Sequence, residues 1–206
     1  MYSNFADRVK SKMKIQDIFI ALLVPIILGF GFVIAKPAME YFPPYLLMGM
    51  RFTIPALMLV WWFPLPKGLY LDLFKVSFIG STLQYGLTYT GLNIIDASSA
   101  VLLVQLEVPF GIIIAFFLLK EIPTIKNIIG LVIAFIGTYI LTGAPNLEGK
   151  YIGVLLVLAG AFTWSLGAVM AKTLSKKIEA FALMTWLCVF SGPMLLFLSF
   201  VFDGNP

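Results

Sequence analysis

The chain of 206 residues contains no histidine and a single cysteine, Cys188, which sits inside an apolar run. A histidine-bearing zinc site, a haem with an axial histidine, a Ser-His-Asp triad and a disulfide framework are therefore excluded. Neither a glycine-rich phosphate loop nor a paired-carboxylate motif occurs. No cofactor and no metal is expected, and the chain reads as a non-enzyme. Charge is scarce as well. Only 12% of residues are charged, where a soluble domain carries about 25%. The longest polar stretch is the amino-terminal segment 1–16, too short for a soluble domain.

What fills the chain instead is apolar sequence: 61% of residues are hydrophobic. They form seven runs with little between them, at 17–36, 45–64, 71–91, 97–119, 125–143, 151–172 and 179–202. About 20 helical residues cross the roughly 30 Å hydrocarbon layer, so each run is long enough to span. Backbone polar groups cannot stay unpaired in hydrocarbon, which makes these runs helices rather than strands. The expected fold is an all-α integral membrane protein with seven transmembrane helices. The first run ends in Ala35-Lys36-Pro37 without a small-x-small cleavage site. It reads as a retained first helix rather than a signal peptide.

The positive residues fall on alternate connections. Arg8, Lys10, Lys12, Lys14, Lys67, Lys75, Lys120, Lys126, Lys172, Lys176 and Lys177 lie on one side, against Lys36 and Lys150 on the other. The positive-inside rule puts the larger set, and the amino terminus, in the cytoplasm. A multi-pass protein of a bacterial inner membrane is the expected location. The net charge of +4 then follows from topology, and no nucleic-acid partner is needed to account for it.

Two charges sit at membrane depth. Glu107 is near the middle of the fourth run, in Val104-Gln105-Leu106-Glu107-Val108-Pro109, and Arg51 is two turns into the second. By helix rise they lie about 15 Å and about 9 Å from the outer surface, a difference that long side chains close. Each costs at least about 2.5 kcal/mol to bury in lipid, so each needs a cavity or a partner. An Arg51–Glu107 ion pair, or a common water-filled cavity, is expected. The competing readings are a snorkelling Arg51 and a protonated Glu107 buried against Gln105 or a neighbouring helix.

Small and polar residues recur at helical spacing: Ser77, Ser81, Gln84, Thr88 and Gly91 on the third run, Ala100, Glu107, Gly111 and Ala115 on the fourth, and Gly153, Gly160, Trp164, Gly167 and Ala171 on the sixth. The glycines and alanines read as helix-packing positions. Gln84, Thr88 and Trp164 add hydrogen-bonding groups and a flat wall, so they are candidates for the lining of a substrate path. Pro25, Pro55, Pro109 and Pro193 fall inside runs and mark bends, static or mobile. Trp61 and Trp62 close the second run as interfacial belt residues. Asp96-Ala97-Ser98-Ser99 is expected to cap the fourth helix.

A shift of 136 positions lays Ile34-Ala35-Lys36 on Met170-Ala171-Lys172, and Leu47-Met48 on Leu183-Met184. Five helices separate the two copies, and an odd number inverts the second relative to the membrane. Arg51 maps onto Leu187, so its charge belongs to one copy.

The run Gly29-Phe30-Gly31-Phe32-Val33-Ile34-Ala35-Lys36 and the run Pro43-Pro44-Tyr45-Leu46-Leu47-Met48-Gly49-Met50-Arg51-Phe52 resemble the first two helices of the EamA-like family of the drug/metabolite transporter superfamily. Residues 96–121, with Gln105, Pro109-Phe110 and Lys120-Glu121, are similar to its fourth helix and the loop that follows. Ala161-Phe162-Thr163-Trp164-Ser165 resembles the opening of its second repeat. The resemblance implies a ten-helix carrier of two inverted five-helix repeats, with a first repeat over 17–143 and the opening two helices of a second over 151–206. It also implies a central cavity lined from both halves and outward movement of small metabolites such as amino acids or their derivatives. This chain departs from the pattern in stopping after the seventh helix, and in placing Glu107 where many relatives carry a neutral residue, often Gln.

The leading expectation is a secondary carrier working by alternating access. Arg51, Gln84, Thr88, Gln105, Glu107 and Trp164 are the candidate substrate-binding residues. Its partners would be a small-molecule substrate and the lipid bilayer, with a homodimer or further carboxy-terminal helices completing the site. The alternative is a non-transporting scaffold or accessory half. The DNA immediately downstream is the simplest check: an open frame encoding three more hydrophobic helices would show that this chain is a fragment.

Overall fold

In a computed structural model, residues 41–142 and 149–203 are described, together with Phe19, Leu22, Leu23, Ile26 and Ala38. The first expected span therefore lies largely outside the described residues, as do Pro25 and the amino-terminal segment. The chain divides into two compact units, Met1–Phe42 and Pro43–Pro206. In the first, Phe19, Leu22, Leu23, Ile26 and Ala38 are helical, and Tyr41 and Phe42 turn back onto the Ala38 carbonyl. All that follows concerns the second unit.

Every regular element described there is helical: α1 (Pro44–Leu59), α2 (Tyr70–Ser77), α3 (Gln84–Leu92), α4 (Ala97–Val104), α5 (Glu107–Leu119), α6 (Ile125–Thr142), α7 (Tyr151–Leu174) and α8 (Ala180–Phe202). A π-helical turn, Phe78–Leu83, carries α2 into α3 without a break. By length and composition three helices can cross a membrane: Ser99–Leu119, which joins α4 to α5, then α7 and α8. Chains of such helices, apolar over their whole length, are stable only in lipid, and the protein is an integral, multi-pass membrane protein.

α7 is the centre of the unit. One side of it lies along α3, the π turn and α2, and the other along α4 and α5; α8 packs on α1, α2 and the π turn, and α6 packs on α4. Lipid supplies no hydrophobic drive for apolar helices to associate, so contact must come from close fit. Here glycine provides it. A β-carbon on Gly167 would strike the backbone of Gly80, one on Gly160 the Thr88 hydroxyl, and one on Gly153 the side chains of Ile94 and Ile95. The expected packing role of the stripe on the sixth run is thus met at all three of its glycines. Gly111 differs: a β-carbon there would meet nothing within 4 Å, so this glycine of the fourth run is no packing position.

These contacts fix direction. Gly80, Thr88 and Ile95 meet Gly167, Gly160 and Gly153 in reverse order, so the α2–α3 rod and α7 are antiparallel. Gly49 faces Leu196 and Thr53 faces Gly192, making α1 and α8 antiparallel too. Ser77 and Thr82 meet Ser191 and Met194 in forward order, so α2–α3 and α8 are parallel. This is the parity that successive crossings of one layer require.

Two ion pairs tie α7 to its parallel neighbour. Lys150 meets Asp96 at 2.9 Å where both rods start, and Lys172 holds both Glu121 carboxylate oxygens, at 2.8 and 2.7 Å, where both end. Lys120 ends α5 in a left-handed conformation, φ 55°, which turns the chain towards Lys172. The first pair corrects an expectation. Asp96 occupies the position before α4, but its carboxylate makes no cap bond and goes to Lys150 instead.

At the opposite flank, the ends of α1, α3 and α8 converge. The Leu46 N–H, left free at the start of α1, donates to the Asp203 carboxylate at 3.2 Å. The Tyr45 hydroxyl donates to the Gly86 carbonyl at 3.1 Å and lies 2.7 Å from the Thr90 hydroxyl, while its ring stacks on Phe202.

A Gly167→Val substitution is expected to destabilise the protein by about 1–3 kcal/mol, because the obstacle is backbone and cannot move aside. Gly111→Ala should change stability by less than about 0.5 kcal/mol. Melting of the purified protein in detergent, followed by size exclusion, compares the two.

Candidate functional site

The fourth expected span is a broken helix. Proline has no N–H, so Pro109 cannot complete the bond its position owes to the Gln105 carbonyl. That carbonyl is taken by the Val108 N–H at 3.3 Å, and the Leu106 N–H turns back to Leu103 at 3.1 Å. Regular helix stops at Val104 and resumes at Glu107. Glu107 is therefore the first residue of a half-helix rather than a mid-helix residue, and its half-buried carboxylate faces the favourable end of that helix dipole. The break is held from α7. Ser165, 2% exposed, places its hydroxyl 2.6 Å from the Glu107 carbonyl and 2.8 Å from the Ala161 carbonyl of its own helix, a shared bond.

Arg51 projects from α1 and is exposed. No direct ion pair joins it to Glu107 among the described residues. Phe52, the residue after Arg51 on α1, packs against Tyr85 of α3. The Tyr85 ring meets Phe52 of α1 edge-on, centroids 5.4 Å apart, and stacks on Tyr89 one turn along at 5.8 Å.

Gln84 and Thr88 point elsewhere. Gln84 donates to the Thr88 hydroxyl at 3.3 Å, and both lie against Gly160 in the seam between α3 and α7. The Gln84 carbonyl oxygen is buried there without a hydrogen-bond partner among the described residues. Gln105 lines an opening of about 470 Å³ between α5 and α6, with Val108, Asn127 and Phe135. A second opening between the same helices, about 490 Å³, is apolar and bounded by Pro109, Leu131, Phe135 and Tyr139. Neither of these openings is lined by Arg51 or Glu107. Trp164 is next to Ser165 and 39% exposed.

Sequence spacing singled out Arg51, Glu107, Gln84 and Thr88 but missed Tyr85. The signal was available: Tyr85 and Tyr89 form an i, i+4 aromatic pair in an otherwise small-residue helix.

Among the described residues no group of three His, Cys, Asp or Glu side chains comes together.

A helical membrane protein with charges at depth, beside a helix broken in mid-membrane, belongs by class among the membrane transport proteins. The sequence model of the EamA-like transporter family matches residues 16–143 and 151–206, and this chain belongs to that family. It is 29% identical over 201 residues to a Salmonella typhimurium protein named "Probable amino-acid metabolite efflux pump", covering 90% of this chain and 64% of that one. The Escherichia coli protein of the same name is 26% identical over 208 residues, covering 94% and 67%. An uncharacterized transporter of Bacillus subtilis is 28% identical over 199 residues, covering 89% and 66%. The chain thus spans about two-thirds of the length of these relatives. No solved structure matches it.

Replacing Ser165 by Ala removes the hydroxyl that anchors the break. A loss of about 1 kcal/mol in stability is expected, with faster amide exchange over residues 105–111 and little change in α8, both read by hydrogen–deuterium exchange.

Proposed function

We propose that the chain is the substrate-bearing part of a secondary carrier that exports small zwitterionic metabolites, amino acids or their derivatives, by alternating access. The observation that carries this reading is that Arg51, on α1, and Glu107, at the break between α4 and α5, each stand without an ion pair among the described residues. A guanidinium suits a substrate carboxylate and a carboxylate suits a substrate ammonium. The names of the Salmonella and Escherichia relatives support an amino-acid-like cargo. Gln84, Thr88, Gln105 and Trp164 complete the proposed set; the first two act by holding the α3–α7 seam, and Gln105 and Trp164 by flanking the break at Glu107.

The proposed architecture is seven spans with a cytoplasmic amino terminus in a bacterial inner membrane, read as one five-helix repeat followed by two helices of an inverted second. Three observations support it. The directions of α1, α2–α3, α4–α5, α7 and α8 relative to one another are those of alternate crossings. Lys150, one of the few cations proposed for the outer side, is neutralised by Asp96. The 136-residue shift also carries α1 onto α8, so the residue pairs of their contact fall on positions of the same two helices. Gly49 with Leu196 becomes Thr185 with Val60, and Thr53 with Gly192 becomes Val189 with Ala56. Ala56 is buried, and Val60 and Val189 pack on the same cluster of Leu183, Trp186 and Leu187. A two-fold axis in the membrane plane relates contacts in this way.

Counterflow of labelled amino acids in proteoliposomes tests the carrier. Arg51→Gln and Glu107→Gln should each lower apparent affinity about 10- to 100-fold, since hydrogen bonds to charged groups contribute about 1.5–3 kcal/mol. Wild-type protein that moves none of a broad panel, yet runs as a stable complex on native gels, would instead favour the accessory half.

A further inference from the structure

Tyr85 is the first step of an aromatic ladder. Its ring rests edge-on against Phe52 of α1 and flat against Tyr89, which is buried and anchors the ladder on α3. The Tyr85 hydroxyl has no hydrogen-bond partner among the described residues, and its ring rests on Phe52, the residue next to Arg51 on α1. A phenol can donate one hydrogen bond and accept another, and in hydrocarbon it gains most when both are made. The charged groups can fix the two ends of a zwitterion, but every amino acid has those ends. Discrimination must come from what lies between them, and on this face that is a wall of three rings without a charge of its own.

We propose that Tyr85 is the specificity-determining residue of the carrier site. Its hydroxyl orients a zwitterion held between Arg51 and Glu107, and its ring, with Phe52 and Tyr89, receives the substrate side chain and favours apolar and aromatic ones. The inference rests on the carrier reading above. Aromatic contact favours an aromatic partner by up to about tenfold beyond its area, and acidic or basic side chains find no counter-charge on the wall.

Cys188 provides a readout independent of transport. It is the only cysteine of the chain, is half-buried, and stands on α8, which packs on α1, the helix of Arg51 and Phe52. Alkylation of Cys188 by N-ethylmaleimide in the full chain is measured beside counterflow, with phenylalanine, leucine, serine, aspartate and lysine as ligands. Phenylalanine and leucine are expected to protect Cys188 and to compete in counterflow at about tenfold lower concentration than the other three. Tyr85→Leu should erase that ranking. Tyr85→Phe should keep it while weakening every ligand about fivefold, as loss of one hydrogen bond predicts.

A Tyr85→Leu protein that retains the wild-type ranking overturns the inference. Should Tyr85→Leu not fold, Tyr85→Phe preserves the ring stack, and unchanged affinities in it overturn the inference equally. Ranked protection of Cys188 without counterflow overturns the carrier reading alone. Neither protection nor counterflow in the wild type overturns both.

Discussion

The unit depends on how closely two helix backbones can approach where no water is present to drive them together. Apolar side chains are as well solvated by lipid as by each other, so a helix pair forms only where the surfaces fit more tightly than lipid fits either one. Gly80 against Gly167 is that place, backbone on backbone, at the crossing of the π turn and α7. Thr88 on Gly160 and Ile94 and Ile95 on Gly153 extend the same seam. Once α7 is seated there, its other side carries Ser165 to the broken helix and its two ends carry the lysines to Asp96 and Glu121. Every element that bears a proposed substrate group is thus positioned directly or through one neighbour by a contact that requires the absence of a side chain.

The seam also separates the polar groups of α3 by duty. Gln84 and Thr88 turn inward to α7, where they are partners for each other and for the backbone approach. Tyr85 and Tyr89, one residue on from each, turn toward α1. Structure and recognition therefore occupy adjacent faces of one short helix, and a rotation of that helix would exchange them. The polar cluster of Tyr45, Gly86 and Thr90 at its far end opposes such a rotation by tying α3 to α1.

Much of this was legible in the sequence. Apolar runs located α1, the α2–α3 rod, the α4–α5 pair, α6, α7 and α8 to within about five residues, though not the π turn or the break inside two of them, and glycine spacing named the packing face of α7. The stripe on the third run was harder, because counting by threes and fours assumes an unbroken α-helix. The π turn at Phe78–Leu83 shifts the angular phase, so one line of residues in sequence splits into two faces: Ser77 meets α8, while Gln84, Thr88 and Gly91 meet α7. Tyr85 was passed over for another reason: its i, i+4 pairing with Tyr89 was available but aromatic pairs were not counted. The Arg51–Glu107 pair failed on different grounds. Depth in the membrane follows from position along a run, but lateral placement depends on neighbours, and no periodicity within one helix encodes it. Asp96 fits every local rule for a cap, yet a lysine 54 positions away claimed its carboxylate.

That lysine and its counterpart at the other end have a mechanical consequence. α4 and α5 form a rod pinned to α7 at both ends, by Lys150–Asp96 and Lys172–Glu121, with its one discontinuity between the pins. A strut clamped at both ends cannot slide or pivot when its centre changes shape; it bows. Any straightening or tightening of the joint at Gln105–Leu106 is therefore delivered sideways, at right angles to the helix axis, and Glu107 is the group carried by that movement.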